Sequence, residues 1–389
     1  MIKVGSDFSG VGAFNQALKR LGIDYKEIFA CDMDKFARQT FIHNYGNPEY
    51  YPMNVYDRAI PNESLDIYMT SPPCQAFSLA GKRLGKDDKR GILFFNSHEF
   101  IQVNKPRYFI FENVKGLLSD NGGKTFSEWV NLLGGKSING NPVIFPYEDS
   151  VPYHLYYKVL NAKHHGVPQN RERVFLIGIR DDEDNSFSFP KEEQLTKRLK
   201  DVLEDNVDDK YFLSDKMISY LEHRKDNFNN GKINYRTEND YASTITKSSS
   251  SLDITDNIIK IKSATSKGYE EATEGDSINF SVPNSETRRG RVGKQVAQTL
   301  DTGCNQGVIH NCITQAIGRQ GSSQEYLDSC KKVYETTNKI RRLTPRECFR
   351  LMDFLDTFTW PVSDSQAYKQ AGNSIVVNVL YKIIKNLNL

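Results

Sequence analysis

An α/β fold built on a largely parallel sheet, with a smaller irregular β-rich domain set into it, is what this sequence predicts. Three observations lead there. Over residues 1–180 short apolar, β-rich runs alternate with helical patterns, the order that builds βαβ units. From about Asp181 the texture turns to Asn, Ser, Thr, Asp and Lys, with brief apolar runs and Gly-rich turns. After Arg341 regular helical texture returns. The expected divisions are therefore 1–180 for the larger domain, 181–340 for the insertion, and 341–389 for a return to the larger domain.

The first strand is expected at Ile2–Asp7, followed by a helix at Ala13–Leu21 whose apolar residues fall on one face. Strands come next at Tyr25–Asp32, Leu65–Thr70 and Arg107–Glu112, with helices between them at Lys35–Asn44 and Leu93–Val103. Tyr153–Leu160 and Arg173–Ile179 read as two further strands. In the insertion an acidic helical linker is expected near Lys191–Glu204, and Ser243–Ile245, Thr299–Leu300 and Gly307–Ile309 are the better-ordered pieces. Thr344 with Pro345 and Glu347 has the form of a capping box, in which each end of the first helical turn binds the other's backbone N–H. A strongly apolar last helix is expected over Ser374–Leu387.

Composition bounds the function loosely. The chain has 389 residues, a net charge of +2 and no apolar run of membrane-spanning length, about 18 residues. Its start shows no signal-peptide layout. Six cysteines lie scattered without a CxxC pair, which argues against a disulfide framework and a zinc site and suits a reducing cytoplasm. Residues 181–209 hold eleven acids against four bases, a sum of −7, so the remainder carries +9. A polyanion could lie along that basic remainder, and an ordinary solvated helix face would explain the acidic stretch equally well.

Several strand ends carry residues suited to chemistry. Asp7-Phe8-Ser9-Gly10-Val11-Gly12 lies where open α/β sheets bind ligands, and glycines there let a ligand approach the backbone. A tight turn would need the same glycines. Asp32 follows about 20 residues later, the place of a ribose-binding acid. Ser71-Pro72-Pro73-Cys74-Gln75 presents a thiol on a stiff turn at the same sheet edge, although a lone cysteine is commonly a small buried hydrophobe. Glu112 ends an apolar strand, a costly place for a carboxyl unless it is paired or functional. Arg171 and Arg173, two apart, share a face of an extended segment and suit a phosphate or carboxylate clamp, or a solvated edge.

Taken in order, Asp7–Gly12, Ser71–Gly81 (SPPCQAFSLAG), Phe111–Leu117 (FENVKGL), Gln169–Arg173 (QNRER), Arg342–Arg350 (RLTPRECFR) and Gln366–Asn378 (QAYKQAGNSIVVN) resemble the bacterial DNA (cytosine-5) methyltransferases. The resemblance covers 1–180 and 341–389, about 230 positions, and the order and spacing of Pro-Cys-Gln, Glu-Asn-Val and Gln-x-Arg-x-Arg are highly specific.

It implies a Rossmann-like mixed sheet that binds S-adenosylmethionine (AdoMet), with residues 181–340 as a target-recognition domain. Cys74 is implied as the nucleophile that adds to cytosine C6, Glu112 as the group on N3 and the 4-amino edge, and Asn113 as orienting that turn. Arg171 and Arg173 correspond to the pair that contacts the base carbonyl and organises the cysteine loop. Phe8, Gly10 and Val11 are expected around the methionine part of the cofactor and Asp32 on the ribose. Met33 stands where the family often has an aromatic beside the adenine, and Asn54 where an Asp usually accepts from the adenine amino group. Pro73, Leu93, Asn373 and Ser374 are expected to complete the cofactor site.

The target base must be flipped from the duplex. Gln75 and the loop Ala76–Arg90, with Ser78, Lys82, Arg83 and Arg90, correspond to a mobile loop that closes over DNA. In the insertion Arg288, Arg289, Arg291 and Lys294 form the clearest basic cluster, and Thr299-Leu300 matches a Thr-Leu pair of the family. The expected product is S-adenosylhomocysteine (AdoHcy). No metal and no membrane partner are expected, the protein is expected to be a monomer, and any cognate restriction endonuclease would act separately. Two other readings stay open on sequence. One is a tRNA cytosine-5 methyltransferase, although Arg350 follows Cys348-Phe349 where that group has Thr. The other is a non-catalytic DNA-binding relative, which the intact Cys74, Glu112, Arg171 and Arg173 argue against.

Overall fold

A computed structural model describes residues 1–73, 92–214, 259–273, 275–282, 285, 287–314 and 335–389. The chain divides into two compact units. One comprises Met1–Lys197, Thr299–Cys304 and Cys348–Leu389, the other Arg198–Gln298 and Asn305–Glu347.

The first unit is built on strands β1 (Ile2–Asp7), β2 (Tyr25–Cys31), β3 (Ile67–Thr70), β4 (Tyr108–Val114), β5 (Ser137–Ile138), β6 (Asn141–Pro142) and β7 (Tyr153–Asn161). A two-residue strand, β8 (Gln169–Asn170), leads into β9 (Glu172–Arg180). Eight of these form one sheet in the order β2-β1-β3-β4-β9-β7-β5-β6. The first four run parallel, and β9 lies antiparallel between β4 and β7. The successive strands step first to one side of β1 and then to the other. Their carboxyl ends therefore diverge around a crevice beside β1.

Helices α1 (Ala13–Leu21), α2 (Lys35–Tyr45), α3 (Ile92–Asn104) and α4 (Lys124–Leu133) connect the strands. Asp34 caps α2 by accepting from the N–H groups of Phe36 and Ala37. Gly22, with φ 68°, closes α1, and the Ile23 N–H returns to the Leu18 carbonyl. The core gathers Phe29, Tyr68, Phe94, Phe100, Phe109, Phe111, Trp129 and Tyr153, and Phe94 stacks on Trp129 at 4.1 Å. The central strands are apolar on both faces, as a sheet covered on both sides requires.

The second unit holds β10 (Ile259–Lys262) paired with β11 (Tyr269–Ala272). It also holds β12 (Ser277–Asn279), β13 (Val292–Gly293), β14 (Ala297–Gln298), β15 (Gln306–Thr314) and β16 (Glu335–Arg342). An antiparallel sheet runs β13-β12-β15-β16 over a small core of Ile261, Ala272, Ile278, Ile309 and Ile340. The capping box forms as expected. The Thr344 N–H donates to Glu347 Oε2 at 2.8 Å and the Glu347 N–H to Thr344 Oγ1 at 3.2 Å, opening α5 (Pro345–Leu351). The buried Glu347 also takes both terminal nitrogens of Arg341 and the Glu204 N–H.

Three expectations are corrected. The acidic stretch near Lys191–Glu204 is not a helix; only Leu199–Val202 makes a single 3-10 turn. Its backbone donors go to neighbouring segments, Glu193 N–H to the His164 carbonyl and Leu199 N–H to that of Gln295. The boundary at 180 falls later, because residues 181–197 are tied to the first unit. Glu183 pairs with Arg107, Glu193 with Lys382, and the Phe187 ring meets Tyr156 edge-on. Thr299-Leu300 belongs to the first unit and not to the insertion. Gly307–Ile309 lies within β15, while Ser243–Ile245 falls outside the described residues. Two late helices, α6 (Asp364–Asn373) and α7 (Val377–Lys385), return to the first unit; the second starts three residues later than expected.

Candidate active site

Sheet order brings the ends of β1, β2, β3 and β4, with Phe8, Asp32, Pro73 and Glu112, to one edge. After β1 the chain turns sharply: Phe8, Gly10 and Gly12 all hold left-handed backbone, with φ of 57°, 55° and 83°. Only glycine adopts that conformation without steric cost, so the loop needs something to hold Phe8 there. Asp32 supplies it. Its Oδ2 accepts the Gly10 N–H at 2.7 Å and its Oδ1 the Asp34 N–H at 2.8 Å, while the Ser9 N–H reaches the Cys31 carbonyl. Burial pushes the Asp32 carboxyl up, and the two N–H groups partly offset it. A side chain added at Gly10 would meet nothing within 4 Å, so the loop faces open space.

The segment after α2 lines the other side. The carbonyls of Tyr50 and Pro52 take the N–H groups of Ala30 and Asp32, and Arg38 clamps the carbonyls of Tyr51 and Pro52. Asn54 is exposed and its amide oxygen holds the Tyr56 N–H at 3.1 Å, leaving one lone pair for a ligand. Met33 is exposed. Tyr51 is the nearby aromatic, but Arg38 covers its ring at 3.8 Å. Val11 is buried, and Phe8 and Leu93 are partly buried against the main core.

The reacting side is built by β3 and β4. Asn113 Nδ2 donates to the Pro72 carbonyl at 3.1 Å, and its Oδ1 takes the Val114 N–H. The turn that leads to Cys74 is thereby fixed to the end of β4, with Pro72 buried and Pro73 exposed. Glu112 is buried, and Arg173 Nε lies 3.1 Å from its Oε1. Burial raises the Glu112 carboxyl above its usual range; Arg173 and then Arg171 pull it back only in part. Cys74, Gln75, Ser78, Lys82, Arg83 and Arg90 lie outside the described residues. Cys31, Cys304 and Cys348 are buried, and burial beside Asp7 pushes the Cys31 thiol up to about 12, away from a ready thiolate.

The two arginines divide their work. Arg171 is buried and gives its terminal nitrogens to three backbone carbonyls, those of Leu300, Gly372 and Ser374, at 3.0, 3.0 and 2.8 Å. Burial and the nearby Arg173 lower it to about 9. It fastens the end of α6 beside the site; a Cβ on Gly372 would run into the Asp301 carbonyl. Thr40 also donates to Gln370, and Lys369 pairs with Asp34 at 2.7 Å. Exposed Asn373 and buried Ser374 thus arrive near the Asp32 loop.

Sequence reading missed a buried cluster beneath this crevice. Asp7 takes Arg58 Nε at 3.0 and 3.1 Å and the Tyr68 hydroxyl at 2.6 Å. Nothing in the stretch around Arg58 marks it as interior; an aspartate ending a buried strand was the available signal.

In the second unit the basic cluster is corrected in part. Arg291 is fully buried, its guanidinium on the carbonyls of Val282 and Ser285, so it cannot meet DNA from that position. Arg288 is half-buried on the Ser281 carbonyl, and Arg289 is exposed. Thr299, in the first unit, is exposed and donates to the Asn170 carbonyl. Among the described residues no His, Cys, Asp and Glu cluster could hold a metal ion, and no helix is long and apolar enough to cross a membrane.

Comparison with known proteins adds the family context. The family described as C-5 cytosine-specific DNA methylase matches residues 2–388. The orphan methyltransferase M.SPRI of Bacillus phage SPR is 30% identical, over 99% of this chain and 97% of its own length. The type II methyltransferase M.HpaII of Haemophilus parainfluenzae is also 30% identical, over 95% of this chain and 84% of its own. Among solved structures, the S. pombe Dnmt2 methyltransferase shares the fold at 18% identity and a TM-score of 0.56, covering 99% of this chain and 97% of that one.

Proposed function

Because the chain belongs to the C-5 cytosine-specific DNA methylase family, and is a DNA (cytosine-5) methyltransferase, we propose that Cys74 is its nucleophile and Glu112 the group that grips the target ring. The observation that carries this reading is the Glu112 carboxyl. It is buried, 3.1 Å from Arg173, and precedes the Asn113 that holds the turn two residues before Cys74.

Cytosine C5 is too weak a nucleophile to be methylated directly. The Cys74 thiolate adds to C6, a sulfur–carbon bond forms, and the electron pair of the 5,6 double bond becomes available at C5. In its protonated form, which burial favours, Glu112 hydrogen-bonds N3 and limits the negative charge that builds there. Arg173 keeps that carboxyl aimed. Arg171 acts from one layer back, fixing the segments at Leu300 and Ser374. AdoMet, when bound, would supply an electrophilic methyl group to C5, its sulfur–methyl bond breaking to leave AdoHcy. The C5 proton then leaves to water or a nearby base, the sulfur–carbon bond breaks, and Cys74 departs as the double bond re-forms.

The crevice beside β1 fits such a donor. Asp32 keeps lone pairs for a ribose diol after holding Gly10, the space before Gly10 is open, and Asn54 can still accept from an amino group. Phe8, Val11, Pro73, Leu93, Asn373 and Ser374 would surround it. The Gln75–Arg90 segment and Arg289 would meet duplex DNA, with the cytosine flipped out. The relatives include both orphan and type II enzymes, and in either setting this chain would act as a monomer apart from any endonuclease. Bisulfite sequencing of DNA from cells expressing the chain tests the whole reading. Methylcytosine in one short fixed context, absent with Cys74→Ala, is expected; methylation of tRNA but not DNA would overturn it.

A further inference from the structure

The buried Asp7–Arg58 pair is poorly explained by stability. Its side chains are 0% and 2% exposed, and a fully buried ion pair is commonly no better than apolar residues of similar size. The surrounding core is apolar and aromatic, with Phe100 and Phe29 centred 4.5 and 5.6 Å from the Arg58 guanidinium and Tyr68 stacked on Phe100. Strands β1 and β3 are already joined by their backbone ladder.

What the pair does supply is a fixed joint between four segments. Asp7 ends β1 immediately before Phe8–Gly12. Tyr68, on β3, leads to Pro73. Arg58 closes the segment that carries Asn54, and its second nitrogen donates to the Asn96 carbonyl at 3.3 Å, one turn along α3 from Leu93. Every one of the four segments carries a residue expected at the methyl donor; the Arg58 guanidinium joins its own segment to Asp7 and to Asn96, and Tyr68 is tied in through the Asp7 carboxylate. Apolar packing has no preferred direction, whereas the forked donors of an arginine fix distances and angles together.

We propose that Arg58 is a positioning residue for the cofactor crevice, acting through Asp7, Tyr68 and the Asn96 carbonyl to hold the glycine loop in register with the Asn54 segment and α3. The inference rests on the reading of that crevice as the AdoMet site.

AdoHcy binding by titration calorimetry, beside thermal unfolding, tests it. Arg58→Lys keeps the charge but cannot reach both Asp7 and Asn96. It should weaken AdoHcy by about tenfold, the value of one lost charge-assisted hydrogen bond. The KM for AdoMet should rise in step while kcat and the KM for DNA stay close to native. The double variant Asp7→Leu/Arg58→Met replaces the pair with apolar volume. It should unfold at or above the native temperature yet still bind AdoHcy weakly. Native affinity in Arg58→Lys, or affinity restored together with stability in the double variant, would reduce the pair to a structural element and overturn the proposal. Failure of the unaltered protein to bind AdoHcy would instead remove the functional reading, and this inference with it.

Discussion

Glu112 is a carboxyl that has lost most of its water, and two arginines offset that loss only in part. Its folded pKa therefore lies above the ordinary carboxylate range, and the protonated form persists to higher pH than on a surface glutamate. Turnover that depends on this proton should decline as pH rises through the folded value. The linkage to folding has the same sign, with the stabilising contribution complete below the unfolded pKa and lost as pH climbs through the folded one. Glu112→Gln keeps the volume and cannot ionise. It should lower kcat about a hundredfold to a thousandfold, leave AdoHcy binding near native, and remove the alkaline limb of the pH–rate profile. Undiminished turnover would take Glu112 out of the chemistry. At this scale Glu112 stood out because a charge ending an apolar run needs a reason, and Arg173 only through its spacing from Arg171. Arg58 did not, since its partner lies 51 positions away and only the sheet brings them together.

Elements were read well where apolar cadence and capping chemistry coincide. Ile2–Asp7 and Ala13–Leu21 form at the expected bounds, the other expected strands of the large sheet shift by a residue or two, and the two-residue β5 and β6 were not anticipated. The pairing of β15 with β16 was illegible, because Glu-Thr-Thr-Asn-Lys-Ile-Arg-Arg offers one apolar residue in eight and takes its strand form from the partner. The capping box at Thr344 shows how a local signal and a buried network separate in energy. Thr344→Ala loses the cap contact and the hydroxyl's bond to Glu204, and should cost about 1–2 kcal/mol in denaturant unfolding. Glu347→Ala also strands the buried Arg341 guanidinium, so its cost should be about 3–5 kcal/mol. Equal effects from the two substitutions would mean that Arg341 finds another partner.

Across the whole molecule, charge and position separate arginines that look alike in sequence. Arg289 is exposed in the second unit while Arg291 is interior. Arg289→Ala should flatten the slope of log DNA affinity against log salt by about one ion and leave unfolding unchanged. Arg291→Ala should leave that slope alone and destabilise by about 1–3 kcal/mol, through the carbonyls of Val282 and Ser285 left without a donor. A changed salt slope in Arg291→Ala would place that side chain on DNA after all.

The short return of Thr299–Cys304 to the catalytic unit means that the polypeptide passes between the two units four times. The second unit is consequently not a cassette with two seams. A graft that swapped 198–347 in one piece would carry away the Leu300 carbonyl that receives Arg171 and leave a buried guanidinium facing a foreign backbone. Successful chimaeras should keep that hexapeptide native and splice on either side of it.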